Sequence, residues 1–388
     1  MKTITPAKRL ENVTEYYFAR KLKEVAELNA AGKNIISLGI GSPDLPPSDA
    51  TIKALVEDAS RADSHGYYAN GIPDIYTAFA EWYQRWYGVE LDPKTEILPL
   101  IGSKEGIMHI SMAFLNPGDG VLVPNPGYPT YTSVSNLLQA QIQTYNLDEA
   151  NGWHPDFEAL ERMDLSNVKL MWVNYPNMPT GGRASKELFE KLVAFGKKHQ
   201  IVICNDNPYS FILSTEYLSI LSIPGAKDSC IELNSMSKSH NMPGWRIGML
   251  ATNKTFKEWI VKVKSNVDSG QFRPMLKAAV QALKAGPEWY ASMNEVYTKR
   301  RRIAEEILKT LGCTWDPTQS GMFLWGKVAE SVQGGAAEIA DKVLYEANVF
   351  ITPGFIFGDR GERYIRLSLC CTEENLSKAL ERIQKINQ

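Results

Sequence analysis

Short apolar runs alternate with stretches of helical periodicity through most of the chain. Six of these runs, among them EILPLI, GVLVP and VKLMWVN, are apolar on both faces. Such runs, when separated by helices, are typical of a largely parallel sheet that is covered on both sides. We therefore predict strands at 96–101, 120–124, 168–174, 201–206, 230–235 and 246–252. The helical patterns predict helices at 73–87, 104–115, 129–138, 185–200, 254–265 and 287–311.

The last third of the chain has a different order of elements. We predict strands at 321–328, 349–353 and 364–370 and helices at 336–347 and 373–386, which together indicate a smaller α+β unit. A helix at 15–30 and a short strand at 35–38 are expected to join that unit, because the termini of a domain often lie close together. The predicted division is a large domain over 48–288 and a discontinuous small domain over 1–47 and 289–388.

Composition excludes several classes of protein. The 388 residues carry 42 Lys+Arg against 44 Asp+Glu, a net charge of −2, whereas binding to nucleic acid or to an anionic membrane usually needs a basic excess. No apolar run approaches the ~18 residues of a membrane span. The N-terminus lacks the apolar stretch of a secretory signal, which favours a cytoplasmic protein. The five cysteines and five histidines are dispersed, so we expect neither a disulfide framework nor a metal site.

Polar residues follow the predicted strands, and ligands of open α/β sheets bind where strands end. The Gly102-Ser103 turn before a helix can bind an anion through its free N–H groups. The most specific feature is Lys238, which lies at a strand end between serines, with Arg246 eight residues later. A buried amine that loses its charge is a candidate for Schiff-base chemistry, although a lysine of this kind, taken alone, is usually a surface residue.

The run SMSKSHNMPGWRIG (235–248) resembles the lysine signature S-x-S-K-x-x-x-x-x-G-x-R-x-G of the class I/II aminotransferases of fold type I, and every specified position is filled. Further segments match that family in order along the chain: LGIGSPD (38–44), GIPD (71–74), GSKEG (102–106), VLVPNPGYPTY (121–131), NYPNMPTG (174–181), D-x-x-Y (206–209) and YIRLSL (364–369). The resemblance extends from about residue 35 to the end. The run KSNVDSG (264–270) is similar to the alanine-type and LL-diaminopimelate aminotransferase branch.

The resemblance implies a fold, an activity and an assembly. The fold would be α/β, with a mostly parallel seven-stranded sheet between helices and a smaller α+β domain. The activity would be transfer of an amino group between an α-amino acid and a 2-oxo acid by a ping-pong mechanism, with pyridoxal 5′-phosphate as cofactor. The family also implies a homodimer with shared active sites, and no binding of nucleic acid or membrane.

The resemblance also implies roles for residues that contact the cofactor ring. Lys238 would hold the cofactor as an aldimine and later move the substrate proton. Asp206 would pair with the pyridinium nitrogen, Tyr209 would donate to the phenolic O3′, and Tyr128 would stack on the ring.

Two further groups of residues would bind the cofactor phosphate and the substrate. The implied phosphate site consists of Gly102, Ser103, Lys104, Ser235, Ser237 and Arg246. Arg366 would grip the substrate α-carboxylate through a bidentate fork, which a lysine could not copy. Gly41 would let the backbone approach that carboxylate.

The chain departs from the family pattern at two places. Met178 stands where the family has an asparagine that donates to O3′, and a thioether cannot donate. We expect either a weaker hold on O3′, and so a higher aldimine pKa, or a local shift that lets Asn177 substitute. The second departure precedes GIPD, where Tyr67, or alternatively Tyr68, would reach the partner's cofactor phosphate.

Some alternatives remain open at this level. A C–S β-lyase would use the same scaffold and lysine, whereas a non-enzymatic sensor on this fold usually carries a fused DNA-binding module. Substrate choice is not encoded in the matched motifs. Lys264 could meet an acidic substrate side chain or could be a solvated helix lysine.

Overall fold

The computed structural model describes residues 4–11, 17–214 and 216–386. Strands and helices alternate over the first two thirds of the chain, as the pattern predicts. The helices of this part are α1 (Tyr17–Ala30), α2 (Asp49–Ala59), α3 (Pro73–Tyr87), α4 (Ser103–Phe114), α5 (Pro129–Leu137), α6 (Phe157–Glu161), α7 (Lys186–His199), α8 (Met236–Ser239), α9 (Lys254–Lys264) and α10 (Arg273–Ala282). The strands are β1 (Ile36–Ser37), β2 (Ile97–Leu100), β3 (Gly120–Asn125), β4 (Gln141–Asn146), β5 (Val168–Val173), β6 (Val202–Asp206), β7 (Cys230–Ser235) and β8 (Gly248–Ala251).

Seven strands form the central sheet in the order β2-β8-β7-β6-β5-β3-β4. β8 runs antiparallel to both of its neighbours, and the remaining pairs are parallel. Alternate residues of β5 enter two separate hydrophobic clusters: Leu170 and Trp172 face the cluster that includes α4 and α5, whereas Met171 and Val173 face the other. This burial on both faces confirms the predicted mostly parallel, covered sheet.

Strand β4 and the four helices α2, α6, α8 and α10 were absent from the predicted elements. β4 is an edge strand with a mostly exposed, polar sequence, QIQTYN, so it lacks the apolar run that marks its neighbours. α2 begins after Ser48, whose side chain accepts a hydrogen bond from the Thr51 N–H, and it packs against α10. The strand predicted at 349–353 is divided into two short strands, Val349–Phe350 and Thr352–Pro353, which belong to different sheets. The remaining predicted elements agree with the structure to within about two residues at each end; residues 15 and 16 of the first predicted helix lie outside the described residues.

The last third forms a second, smaller unit. It contains α11 (Pro287–Thr310), β9 (Phe323–Lys327), α12 (Gly335–Ala347), β10 (Val349–Phe350), β11 (Thr352–Pro353), β12 (Tyr364–Ser368) and α13 (Glu373–Ile386). β11, β12 and β9 form an antiparallel sheet, while β1 pairs with β10 in parallel. The N-terminal segment therefore joins this unit, and the Ser368 N–H donates to the Leu38 carbonyl at 2.7 Å.

This pairing places residues 38–41 over the edge of the central sheet where its parallel strands end. Leu100, Val173, Asp206 and Ser235 are the last residues of β2, β5, β6 and β7. No helix in the described parts of the chain is both long and apolar enough to cross a membrane.

Candidate active site

A cavity of about 360 Å³ lies between the strand ends of the central sheet and residues 39–41, the segment that follows β1 along the chain. Eleven of the predicted site residues line it: Gly41, Ser103, Lys104, Tyr128, Asp206, Tyr209, Ser235, Ser237, Lys238, Arg246 and Arg366. The chain thus brings together residues that are up to 325 positions apart in the sequence. Most of them come from strand ends, helix starts or β12, whereas Gly41 and Arg246 lie in loops.

Lys238 lies in the short helix α8, directly after β7, and its amine enters the cavity. Its Nζ donates a hydrogen bond to the Gly41 carbonyl. Burial lowers the pKa of Lys238, and the positive charges of Arg366 and Arg246 lower it further. A larger fraction of the amine is therefore neutral, which is the nucleophilic form.

Asp206, the last residue of β6, has one engaged and one free carboxylate oxygen. Its Oδ2 accepts a hydrogen bond from the Tyr131 hydroxyl at 3.0 Å, whereas its buried Oδ1 has no partner among the described residues. Burial raises the pKa of Asp206 to about 7, and the Tyr131 hydrogen bond opposes that rise. An orphaned buried oxygen of this kind fits the N–H of a protonated ring nitrogen, the group that pyridoxal 5′-phosphate would present.

Tyr131 was not among the predicted site residues, although it ends the VLVPNPGYPTY motif. Its ring stacks on Trp172 at 5.0 Å with an interplanar angle of 4°, which directs the hydroxyl towards Asp206. Tyr128 meets the same ring edge-to-face at 5.6 Å. Burial raises the pKa of Tyr128 and holds the pKa of Tyr209 well above its usual range, so both phenols remain protonated and can donate.

One end of the cavity is built for an anion. α4 begins at Ser103, and the first N–H groups of a helix have no acceptor within the helix. The Ser235 hydroxyl donates to the Ser237 hydroxyl at 3.0 Å, which gathers both serines at one point. Gly102 does not line the cavity, but a Cβ there would overlap the Arg246 guanidinium, so glycine lets that charge lie against the helix start. These groups fit a phosphate dianion.

The opposite wall carries Arg366 on β12, which is 4% exposed. Its Nη2 donates to the Gly39 carbonyl at 2.8 Å, and its guanidinium carbon lies 3.9 Å from the centroid of the Phe323 ring. Gly41 has no room for a Cβ because Phe323 occupies that space. Arg366 and Lys238 therefore both hydrogen-bond to the three-residue segment 39–41, which places a carboxylate-binding group beside the amine.

The structure does not place Asn177 among the residues that line the cavity. Its Oδ1 accepts from the Thr180 hydroxyl at 2.7 Å, and its Nδ2 donates to the Asn174 carbonyl at 3.2 Å. The amide that does line the cavity is Asn174, which follows β5. Both of its ends are engaged, because Nδ2 donates to the Asp206 carbonyl at 2.5 Å and Oδ1 accepts from the Met178 N–H at 2.7 Å.

The two tyrosines before GIPD have different environments. Tyr67 is 90% exposed, whereas the Tyr68 hydroxyl donates to the Asp63 carbonyl at 3.0 Å and accepts from Arg273 at 3.1 Å. Lys264 is not a solvated lysine, and it does not line the cavity described above. It is 8% exposed and forms ion pairs with other side chains of the large sheet unit.

The family model described as aminotransferase class I and II matches residues 33–383. An LL-diaminopimelate aminotransferase from Oleidesulfovibrio alaskensis is 40% identical over 390 residues, which cover 100% of both chains. Among solved structures, apo-BacF from Bacillus subtilis has a TM-score of 0.94 at 34% identity, covering 100% of this chain and 99% of its own. A probable N-succinyldiaminopimelate aminotransferase from Thermus thermophilus has a TM-score of 0.88 at 33% identity, with 95% and 99% covered.

Proposed function

The chain belongs to the class I and II aminotransferases, and on that premise we propose that LL-diaminopimelate is its amino donor and Lys238 its catalytic lysine. Members of this family are pyridoxal 5′-phosphate-dependent enzymes of fold type I. They transfer an amino group between an α-amino acid and a 2-oxo acid by a ping-pong mechanism. Membership makes the chain an enzyme and leaves the sensor alternative without support.

The cofactor, when bound, supplies an electron sink for the electrons released at the substrate Cα. The residues of this chain hold and orient it. Asp206 would keep the ring nitrogen protonated through its free Oδ1, while Tyr209 would donate to the phenolic oxygen and Tyr128 would pack on the ring. Gly102, Ser103, Lys104, Ser235, Ser237 and Arg246 form the phosphate site. Lys238 accepts and returns the proton at the substrate Cα.

One observation supports a substrate with an α-carboxylate. Arg366 is buried, positively charged and tied to the same backbone segment, residues 39–41, as the Lys238 amine. An α-carboxylate that forms a bidentate pair with Arg366 would place its own Cα next to Lys238. The relatives named LL-diaminopimelate aminotransferase match across the whole chain at about 40% identity, which supports LL-diaminopimelate as the first donor to test.

The experiment is a panel of amino donors, each mixed with the cofactor-loaded enzyme and no oxo acid. The amino half-reaction bleaches the visible cofactor band, and we expect LL-diaminopimelate to do so at least tenfold faster than alanine, aspartate or phenylalanine. Equal rates would sink the proposed donor. Turnover by Lys238→Ala would sink the proposed lysine. Release of pyruvate and ammonia from cystathionine without an oxo acid would favour the β-lyase instead.

We also propose that the enzyme is a homodimer in which Tyr67 completes the partner's site. The exposure of Tyr67 supports this, since it contacts little in its own chain. Mixing inactive Lys238→Ala with impaired Tyr67→Ala tests it, because a hybrid dimer contains one site with both native residues. We expect up to about a quarter of native activity to return. An active monomer would contradict the proposal.

Two further proposals complete the assignment. The large domain spans 48–288, and the small domain comprises 1–47 and 289–388. The place of action is the cytoplasm, since all five cysteines are unpaired, as is usual in a reducing compartment.

A further inference from the structure

A partly buried network of charges lies behind the anion end of the cavity. The Lys264 amine, at the last residue of α9, is 3.1 Å from Glu105 Oε1 and 2.7 Å from Asp268 Oδ2. Glu105 Oε1 also lies 2.8 Å from His109 Nε2. None of these residues lines the cavity described above.

The network fixes the start of α4. Glu105 occupies the third position of that helix, and its Oε2 accepts from the Ile101 N–H at 2.5 Å. A glutamate at the third position of a helix can cap the helix start by reaching back to a backbone N–H, usually that of the N-cap residue; here the donor is Ile101, the residue before the N-cap Gly102, which has no side chain. The cap sets the turn 101–104, which contains the N–H groups assigned to the anion.

The same network fixes the loop that follows α9. Asp268 Oδ1 accepts from the Gly270 N–H at 2.7 Å, and Gly270 forms a β-bridge with Tyr68. The next residue, Gln271, donates from Nε2 to the Arg246 carbonyl at 2.8 Å. Arg246 adopts a left-handed conformation with φ of 56°, so this contact supports a strained residue of the anion site.

Lys264 is the cation of the cluster. Ligand atoms of Glu105, His109 and Asp268 lie within 4.8 Å of one another, close enough for a metal ion, but the ammonium already contacts both carboxylates. Burial alone would raise the pKa of Glu105; the hydrogen bonds from His109 and the Ile101 N–H, with the charge of Lys264, outweigh it and hold the pKa well below its usual range. Glu105 therefore remains an ionised, strong acceptor.

We propose that Lys264 is a positioning residue for the phosphate group of the cofactor: through Glu105 and Asp268 it holds the turn 101–104 and Arg246 as a ready-made anion site. The inference rests on the phosphate site of the proposed function. Its consequence is specific, because loss of Lys264 weakens the hold on the phosphate and leaves the ring contacts of Asp206 in place.

The experiment compares two ligands of the cofactor-free enzyme, pyridoxal 5′-phosphate and pyridoxal, which lacks the phosphate. Affinities are read from the absorbance change when each ligand reacts with Lys238. In Lys264→Met we expect at least a tenfold loss of affinity for pyridoxal 5′-phosphate and less than a twofold loss for pyridoxal. Equal losses would show a merely structural role, and the absence of any loss would also overturn the proposal.

Matched variants separate the charge from general damage. Lys264→Arg keeps the charge, so we expect affinity for pyridoxal 5′-phosphate within about threefold of native. Lys227→Met removes the lysine of a Lys227–Glu96 pair, 2.8 Å long, at the other end of β2, and should leave the preference between the two ligands unchanged. Removal of one partner from a buried ion pair can destabilise the fold. If Lys264→Met folds poorly for this reason, Glu105→Gln serves as the second variant, and it should reduce the preference for pyridoxal 5′-phosphate over pyridoxal.

Arg246→Ala distinguishes this proposal from the one on which it rests. If Arg246→Ala removes the preference for the phosphate ligand and Lys264→Met does not, the phosphate site stands and the role of Lys264 is wrong. If neither variant changes the preference, the phosphate site itself is wrong and both proposals fail.

Discussion

The Sδ atom of Met178 lies 3.2 Å from Nη1 of Arg366, within the hydrogen-bonding distance of that guanidinium. A thioether is a weak acceptor, so a carboxylate that reaches Arg366 can replace it at little cost. Met178 also provides no donor on its side of the cavity. Among the described residues that line the cavity, Asn174 alone has a side-chain amide, and that amide is already engaged with backbone groups of Asp206 and Met178.

Met178→Asn should lower the pH at which the Lys238-bound cofactor changes its visible absorption, by about one unit. An asparagine donates to the phenolate oxygen and stabilises the deprotonated form, and one charge-assisted hydrogen bond accounts for about 1.5 kcal/mol. A spectroscopic pH titration measures the change. Met178→Leu, which keeps the shape and removes the sulfur, should titrate like the native enzyme; an unchanged midpoint in the asparagine variant would refute the role of this position.

Arg366→Lys should lower kcat/KM for amino-acid donors about a hundredfold while the affinity for the cofactor stays within twofold. Lysine retains the charge but cannot form the bidentate pair with a carboxylate, nor can it lie flat over the Phe323 ring. Steady-state kinetics with the preferred donor provide the measurement. A simple amine without a carboxylate is the control substrate, and an equal loss for that amine would contradict a carboxylate-specific role.

Tyr131→Phe should weaken cofactor binding about tenfold. The substitution removes the hydrogen bond to Asp206 Oδ2, which opposes the rise in the Asp206 pKa, and a lost hydrogen bond to a charged group costs about 1.5 kcal/mol. The phenyl ring preserves the stacking on Trp172. Tyr128→Phe removes a phenol from the same cavity with no contact to Asp206; if both variants lose the same affinity, the Tyr131–Asp206 contact is not the cause.

The sheet could be predicted wherever a strand is buried on both faces. β5 and β7 appear in the sequence as apolar runs because helices cover both of their faces. β4 could not be recognised, since an exposed edge strand needs few apolar residues, and its pairing with β3 is a tertiary contact.

The same distinction holds within the active site. The Lys238 and Asp206 positions follow strands and belong to recognisable motifs, so their convergence could be predicted from the sheet rule. Asn177 and Asn174 stand in one motif, and only the course of the turn at 177–181 determines which amide reaches the cavity. The pairing of Lys264 with Glu105 spans 159 residues, and no local pattern indicates such a contact.

Asp206→Asn should change how the stability of the cofactor-free enzyme depends on pH. Burial raises the pKa of Asp206 from 3.8 to about 7, so between these values the folded state keeps a proton that the unfolded chain has lost. The stability that the protonated carboxyl contributes is therefore fully present below about pH 4 and is lost as the pH rises through 7. The total is on the order of a few kcal/mol.

Melting temperatures of the cofactor-free native enzyme and of Asp206→Asn, measured from pH 4 to pH 8, test this dependence. The asparagine side chain is neutral throughout this range and resembles the protonated carboxyl in shape. The stability of the Asp206→Asn variant relative to the native enzyme should therefore increase up to about pH 7 and then remain constant. In the cofactor-loaded native enzyme a protonated ring nitrogen beside Asp206 Oδ1 would lower the pKa of this carboxyl, so the native enzyme should no longer lose stability over this range. A difference between the two cofactor-free proteins that does not depend on pH would show that Asp206 is ionised without its partner.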